Sequence, residues 1–146
     1  MNELEFKQTK LLKRIQNHEI MLSPSCVSGY DNRTIDNNPL DFIKLSDNEK
    51  ITLVNWIVTV FKPIKTVNKW HSSYGLKHLF EHAPLGFYVK NGAFKGAMLI
   101  AGFEPVDPNE LNWRFRISEV SIGNAMTPKQ WDIVTAKEDN YHATSD

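Results

Sequence analysis

Ser46-Asp47-Asn48-Glu49 limits what this chain can fold into more tightly than any other stretch. A serine followed three residues later by glutamate is a capping box: the hydroxyl accepts from the glutamate's backbone N–H, and the carboxylate reaches back to the serine's own N–H. The run behind it, Ile51, Val54, Trp56, Ile57, Val58, Val60 and Phe61, leaves little polar surface. Pro63 then stops the helix, because it has no N–H to donate and its ring clashes with the preceding turn. The pattern predicts a helix over 47–61 that serves as the central core helix.

The flanking segments follow from the same kind of reading. Leu4, Leu11, Leu12, Ile15 and Leu22, set among Lys and Gln, predict a loosely amphipathic helix with a frayed start. From Ser23 to Pro39 the chain is rich in Ser, Asn, Asp, Gly and Pro, a long loop or hinge. Ile64 to Val67 is a short β-branched strand or spacer. Ser72 or Ser73 caps a helix to about His82 that buries Leu76, Leu79 and Phe80 and ends at Ala83-Pro84-Leu85-Gly86. Phe87-Tyr88-Val89 is briefly extended.

Asn91 then caps a helix over Gly92–Ala101, with Gly102 as a left-handed terminator. Phe94, Ala97, Met98 and Ala101 form its buried stripe, and Asn91, Gly92, Lys95, Gly96 and Leu99 face the other way. Phe103 to Val106, the turn Asp107-Pro108-Asn109-Glu110, and the alternation of Trp113, Phe115 and Ile117 against Arg114 and Arg116 predict a hairpin with a basic outer face. Thr127-Pro128-Lys129-Gln130 is a second capping box, starting a short helix to about Ala136 before a polar tail.

This order of elements is that of a winged helix-turn-helix. The expected fold is α+β and mainly helical: an N-terminal helical arm over 1–45, a winged-helix-like core with a small β-hairpin over 46–136, and a tail over 137–146. In that arrangement the helix after the turn enters the major groove and the hairpin reaches the flanking backbone. Candidate binding residues are then Lys90, Asn91 and Lys95 on the helix, Arg114 and Arg116 on the wing, and Trp70 beside Lys69 in a loop. The helix carries one internal lysine and no arginine, fewer charges than duplex binding demands. A protein partner is therefore weighed beside double-stranded DNA.

Composition narrows the function class. A chain of 146 residues with 41% hydrophobic content buries a core without staples. Cys26 is the single cysteine, so there is no intrachain disulfide and no thiol zinc cluster, which fits a reducing compartment. Met1 to Lys7 is polar and acidic where a signal peptide is basic and then apolar, and no run approaches the roughly 18 apolar residues of a membrane span. The expected location is the cytoplasm. Net charge is zero, but from Lys62 to Gly96 six lysines face the single Glu81.

His78-Leu79-Phe80-Glu81-His82 matches the H-x-x-E-H pattern of inverted zinc proteases. Against that stands a plain i, i+4 pair of Lys77 and Glu81 on a helix face, and nothing beside Cys26 activates a thiol. No catalytic residue, metal or cofactor is expected, and the protein reads as a binding protein and not an enzyme.

The run Ser73-Tyr74-Gly75-Leu76-Lys77-His78, continuing through Tyr88-Val89-Lys90-Asn91-Gly92-Ala93-Phe94-Lys95-Gly96-Ala97 to Ala101-Gly102-Phe103 and Leu111-Asn112-Trp113, resembles a segment of small accessory proteins of phages and mobile elements of Gram-positive bacteria. The resemblance spans about Ser73 to Ser118. It implies a protein that regulates mobile-element genes or disables a host defence, most specifically an inhibitor of a CRISPR nuclease effector. A winged-helix DNA-binding regulator is the alternative.

Overall fold

A computed structural model of the chain describes residues 2–20 and 36–125. The elements are α1 (Glu3–Gln16), a 3-10 helix (Pro39–Lys44), α2 (Asp47–Val60), α3 (Ser73–Glu81), α4 (Asn91–Ile100) and α5 (Glu119–Ala125). The centre is α4, all ten of whose residues are buried. The 3-10 helix, α2, α3 and α1 all pack on it. Phe94, Ala97 and Met98 face a core built from Phe42, Leu53, Ile57, Phe61, Leu76, Phe80, Trp113 and Phe115. The long helix α2 is not the central one. It buries Lys50, Leu53 and Ile57 but leaves Ile51 and Val58 about half exposed.

The side of α4 that carries Asn91, Gly92, Lys95 and Gly96 is covered by the chain's own residues 37–42. A Cβ on Gly92 would stand 2.3 Å from the Asn38 carbonyl oxygen, and one on Gly96 would stand 2.2 Å from that of Pro39. These glycines admit a close backbone, and the backbone they admit is internal. The 3-10 helix is started by Asn38, whose Oδ1 accepts from the Leu40 N–H at 2.9 Å, and by Pro39 in its first turn.

Helix ends follow local chemistry. Ser46 and Glu49 form the capping box expected of them (Glu49 N to Ser46 Oγ 3.2 Å, Ser46 N to Glu49 Oε1 2.9 Å). The start of α1 is capped and not frayed, because Asn2 and Glu5 make a second such box. The helix ends at Gln16, with His18 at φ 57°, short of the Leu22 expected from periodicity. Gly102 closes α4 at φ 98°, with Phe103 N–H donating to the Met98 carbonyl at 2.8 Å.

The winged helix-turn-helix is overturned. Among the described residues no strand forms, and the only β pairing is two isolated bridges, Pro63 with Ile117 and Ser72 with Arg114. The alternation over 113–117 is real: Trp113, Phe115 and Ile117 are fully buried while Arg116 is exposed. Its main partner is the loop 62–73 rather than residues 103–106. Ser118 N–H donates to the Lys62 carbonyl (2.8 Å), Ile64 N–H to Arg116 (3.0 Å), Asn68 N–H to Phe115 (2.9 Å) and Ser73 N–H to Trp113 (2.7 Å).

The expected hairpin keeps one backbone bond, Val106 N–H to the Arg114 carbonyl (2.9 Å). Pro105 and Pro108 have no N–H to extend it. The helix expected from Thr127 to about Ala136, the tail from Lys137, Cys26 and most of the loop from Ser23 lie outside the described residues. Among the described residues no helix is long and apolar enough to cross a membrane.

Because the Gly92 and Gly96 contacts are with main chain that cannot swing aside, Gly92→Ala and Gly96→Ala should each cost about 1–3 kcal/mol or more by overpacking. Gly123→Ala, whose Cβ meets nothing within 4 Å, should be neutral or stabilise α5 by up to about 1 kcal/mol. Urea midpoints of the three variants check this ordering.

Candidate functional site

Of the residues picked out by the sequence, the fold takes Asn91 and Lys95 inward. Lys95 is fully buried. Its ammonium donates to the Asn37 carbonyl at 3.2 Å and sits 4.9 Å from the centre of the Trp113 ring, contacts that offset part of the cost of desolvating a cation. The Asn91 side-chain amide donates to Asn37 Oδ1 and Asn112 Oδ1, both at 2.7 Å. Within that cluster Asn91 Oδ1 and Asn112 Nδ2 have no hydrogen-bond partner. These residues fasten the segment before the 3-10 helix onto α4, so the docking face expected on this helix does not exist. Lys90 is exposed but pairs with Asp36 at 3.3 Å, and that bond and charge raise its pKa.

The other four are brought together by the pairing of 62–73 with 113–118. Asn68, only 5% exposed, is the organising residue. Its Oδ1 accepts from the Trp70 and His71 N–H groups (2.9 and 3.2 Å), closing a tight turn. Its Nδ2 donates to the Ile117 carbonyl (3.3 Å) and to Glu119 Oε2 (2.9 Å). The turn leaves the Trp70 side chain 74% exposed. Arg114 Nη1 donates to the Lys69 carbonyl at 2.7 Å, tying the arginine to the same loop. Arg116 lies opposite Ile64 in the antiparallel register, and Lys62 lies opposite Ser118.

Lys62, Lys65, Lys69 and Arg116 are all exposed, and none has a carboxylate partner among the described residues. The neighbouring carboxylate, Glu119, is occupied by Asn68 and by His71 Nε2 at 3.1 Å. The result is a basic surface along the paired segments, with the exposed indole of Trp70 on the same loop. Lys62, Lys65 and Asn68 were not singled out by sequence reasoning. The lysine run was visible, but the long-range register that sets it beside Arg114 and Arg116 was not.

The H-x-x-E-H stretch makes a different structure from the one its spacing evokes. The Glu81 carboxylate accepts from Lys77 Nζ (3.1 Å) and the Val89 N–H (3.0 Å) and meets His78 Nδ1 at 2.8 Å. Lys77 Nζ also lies 5.7 and 5.2 Å from the Tyr74 and Tyr88 ring centres. Glu81 thus ties the end of α3 to the extended run that feeds α4. Among the described residues no group of three or more His, Cys, Asp or Glu is placed to hold a metal ion.

A cleft of about 240 Å³ lies between α1 and the C-terminal end of α4. Its cations, Lys7, Lys10 and Arg14, face the carbonyl end of that helix, as its dipole favours. Glu104 holds Arg14 through two bonds of 2.9 and 3.0 Å.

No family model, no curated protein and no solved structure matches the chain. Function has to be read from the surface itself.

Burial alone would raise the Glu81 pKa, but the bonds from His78 and Val89 and the charge of Lys77 outweigh it and hold the carboxyl at about 2 against its ordinary 4.5. A carboxyl depressed by folding stabilises the native state above its unfolded pKa and loses that contribution as pH falls. The stability that Glu81 supplies is therefore complete above about pH 4.5 and drains away toward pH 2. In urea titrations across that window, Glu81→Gln should be less stable than wild type at pH 7, with the gap closing on acidification.

Proposed function

We propose that this is a non-enzymatic binding protein that docks onto a nucleic-acid-handling machine and modulates it, using the face formed by Lys62, Lys65, Lys69, Trp70, Arg114 and Arg116. One observation carries the reading. In a chain of zero net charge, Lys62, Lys65, Lys69 and Arg116 are exposed with no carboxylate partner among the described residues, and the same loop presents a tryptophan that is 74% exposed. Tryptophan and arginine dominate the energetics of protein interfaces, and unpaired cations steer an oppositely charged partner into register.

The resemblance of residues 73–118 to phage and mobile-element accessory proteins supports the most specific form, an inhibitor of a CRISPR nuclease effector acting in the cytoplasm. Those machines present long tracts of phosphate and of phosphate-binding groups, which makes them partners for a charged face.

The purified protein should co-migrate with its effector and slow target cleavage. A Lys65→Glu, Lys69→Glu, Arg116→Glu variant should fold normally, since all three side chains are solvated, and lose at least tenfold in inhibition, about 1.4 kcal/mol or more. A triple variant as inhibitory as wild type, or effectors that keep full activity and never co-migrate, would sink the reading.

A further inference from the structure

The same face also speaks to what the protein touches when it docks, an inference that rests on the docking reading above. Exposed lysine–carboxylate pairs in water contribute little, typically about 0–1 kcal/mol each. A phosphodiester strand is different, because it carries condensed counterions and every cation that replaces one gains the entropy of its release. Exposed cations with no carboxylate partner among the described residues, set on a solvated loop, are therefore better matched to phosphates than to an acidic peptide. Trp70 adds the second element. An indole 74% exposed, held out by the Asn68 turn, offers a flat face on which a base can stack.

Only an unpaired base can use that face, because duplex bases are stacked on each other and show the grooves their edges. Duplex reading by the helix that sequence pointed to is closed off as well, since all of α4 is buried. On the same loop, Ile64 is 41% exposed opposite Arg116, an apolar step next to a cation.

We propose that the loop 62–72 and the facing strand-like segment 113–118 form a binding site for single-stranded nucleic acid, with a base on Trp70 and phosphates along Lys62, Lys65, Lys69 and Arg116. The full-length chain is titrated against end-labelled oligothymidine and oligouridine of about 12 nucleotides, and against a mixed-sequence duplex of the same length, by fluorescence anisotropy. Four phosphate contacts predict that log K falls against log salt with a slope of about −3 for the single strands. Replacing Lys62, Lys65, Lys69 or Arg116 by Gln should flatten that slope by about 0.7 each. Trp70→Ala should weaken binding roughly 5- to 150-fold, and Trp70→Phe should recover most of the loss. The relative affinities for the two strands then distinguish RNA from DNA.

Absence of strand binding at about 50 mM salt, indifference to Trp70→Ala, tighter binding of the duplex, or displacement by polyglutamate as readily as by unlabelled strand would each overturn the inference. Should an effector be inhibited while no oligonucleotide binds, the strand site falls and the docking reading stands. Should strands bind while no effector responds, the reverse holds.

Discussion

Gly92 and Gly96 stand one turn apart on α4 and let the main chain of Asn38 and Pro39 rest against the helix at distances no side chain would allow. That contact decides the rest of the architecture. With it, the polar side of α4 becomes an internal surface, where Asn91 and Lys95 hold the incoming segment through Asn37. The helix is then sealed on every side, and α1, α2, α3 and the 3-10 helix arrange themselves around it. A buried cation and an incompletely satisfied asparagine cluster are costs, set against the packing of Phe42, Phe94 and Trp113 that the close approach permits.

Sealing α4 also moves the exposed chemistry elsewhere. The alternating segment 113–117 has its buried side taken by the core, so its backbone finds partners in the loop 62–73. That pairing is short and irregular, and Asn68 supplies from its side chain what a regular ladder would supply from the main chain. Its outer side collects Arg114, Arg116 and the lysines of the loop, with Trp70 standing free. The buried charge cluster around Glu81 has the opposite character, since its cation, carboxylate and rings satisfy one another and leave it an anchor.

Much of the local structure was legible in the residues. The Ser46 box, the Gly102 terminator and the inward trio Trp113, Phe115 and Ile117 all act within a few positions of themselves, where hydrogen-bond reach and periodicity are decisive. The candidate site was half legible. Lys69, Trp70, Arg114 and Arg116 reached one surface, whereas Asn91 and Lys95 went inside, because hydropathy marks Asn, Lys and Gly as outward-facing and is blind to a backbone that needs them. The same blindness made α2 look central, although Ile51 and Val58 are half exposed, and left α5 and the 3-10 helix unforeseen.

By itself the sequence determined where α2 begins and ends and where α4 stops, which side of 113–117 is apolar, and that lysines outnumber acids in the middle of the chain, since these depend on neighbours within a turn or two. Only the tertiary structure decided which helix is enclosed, that the extended segment pairs with a distant loop and forms no wing, and which cations share a face. Those outcomes depend on main-chain approach and on register between residues more than forty positions apart, which no local pattern of side chains encodes.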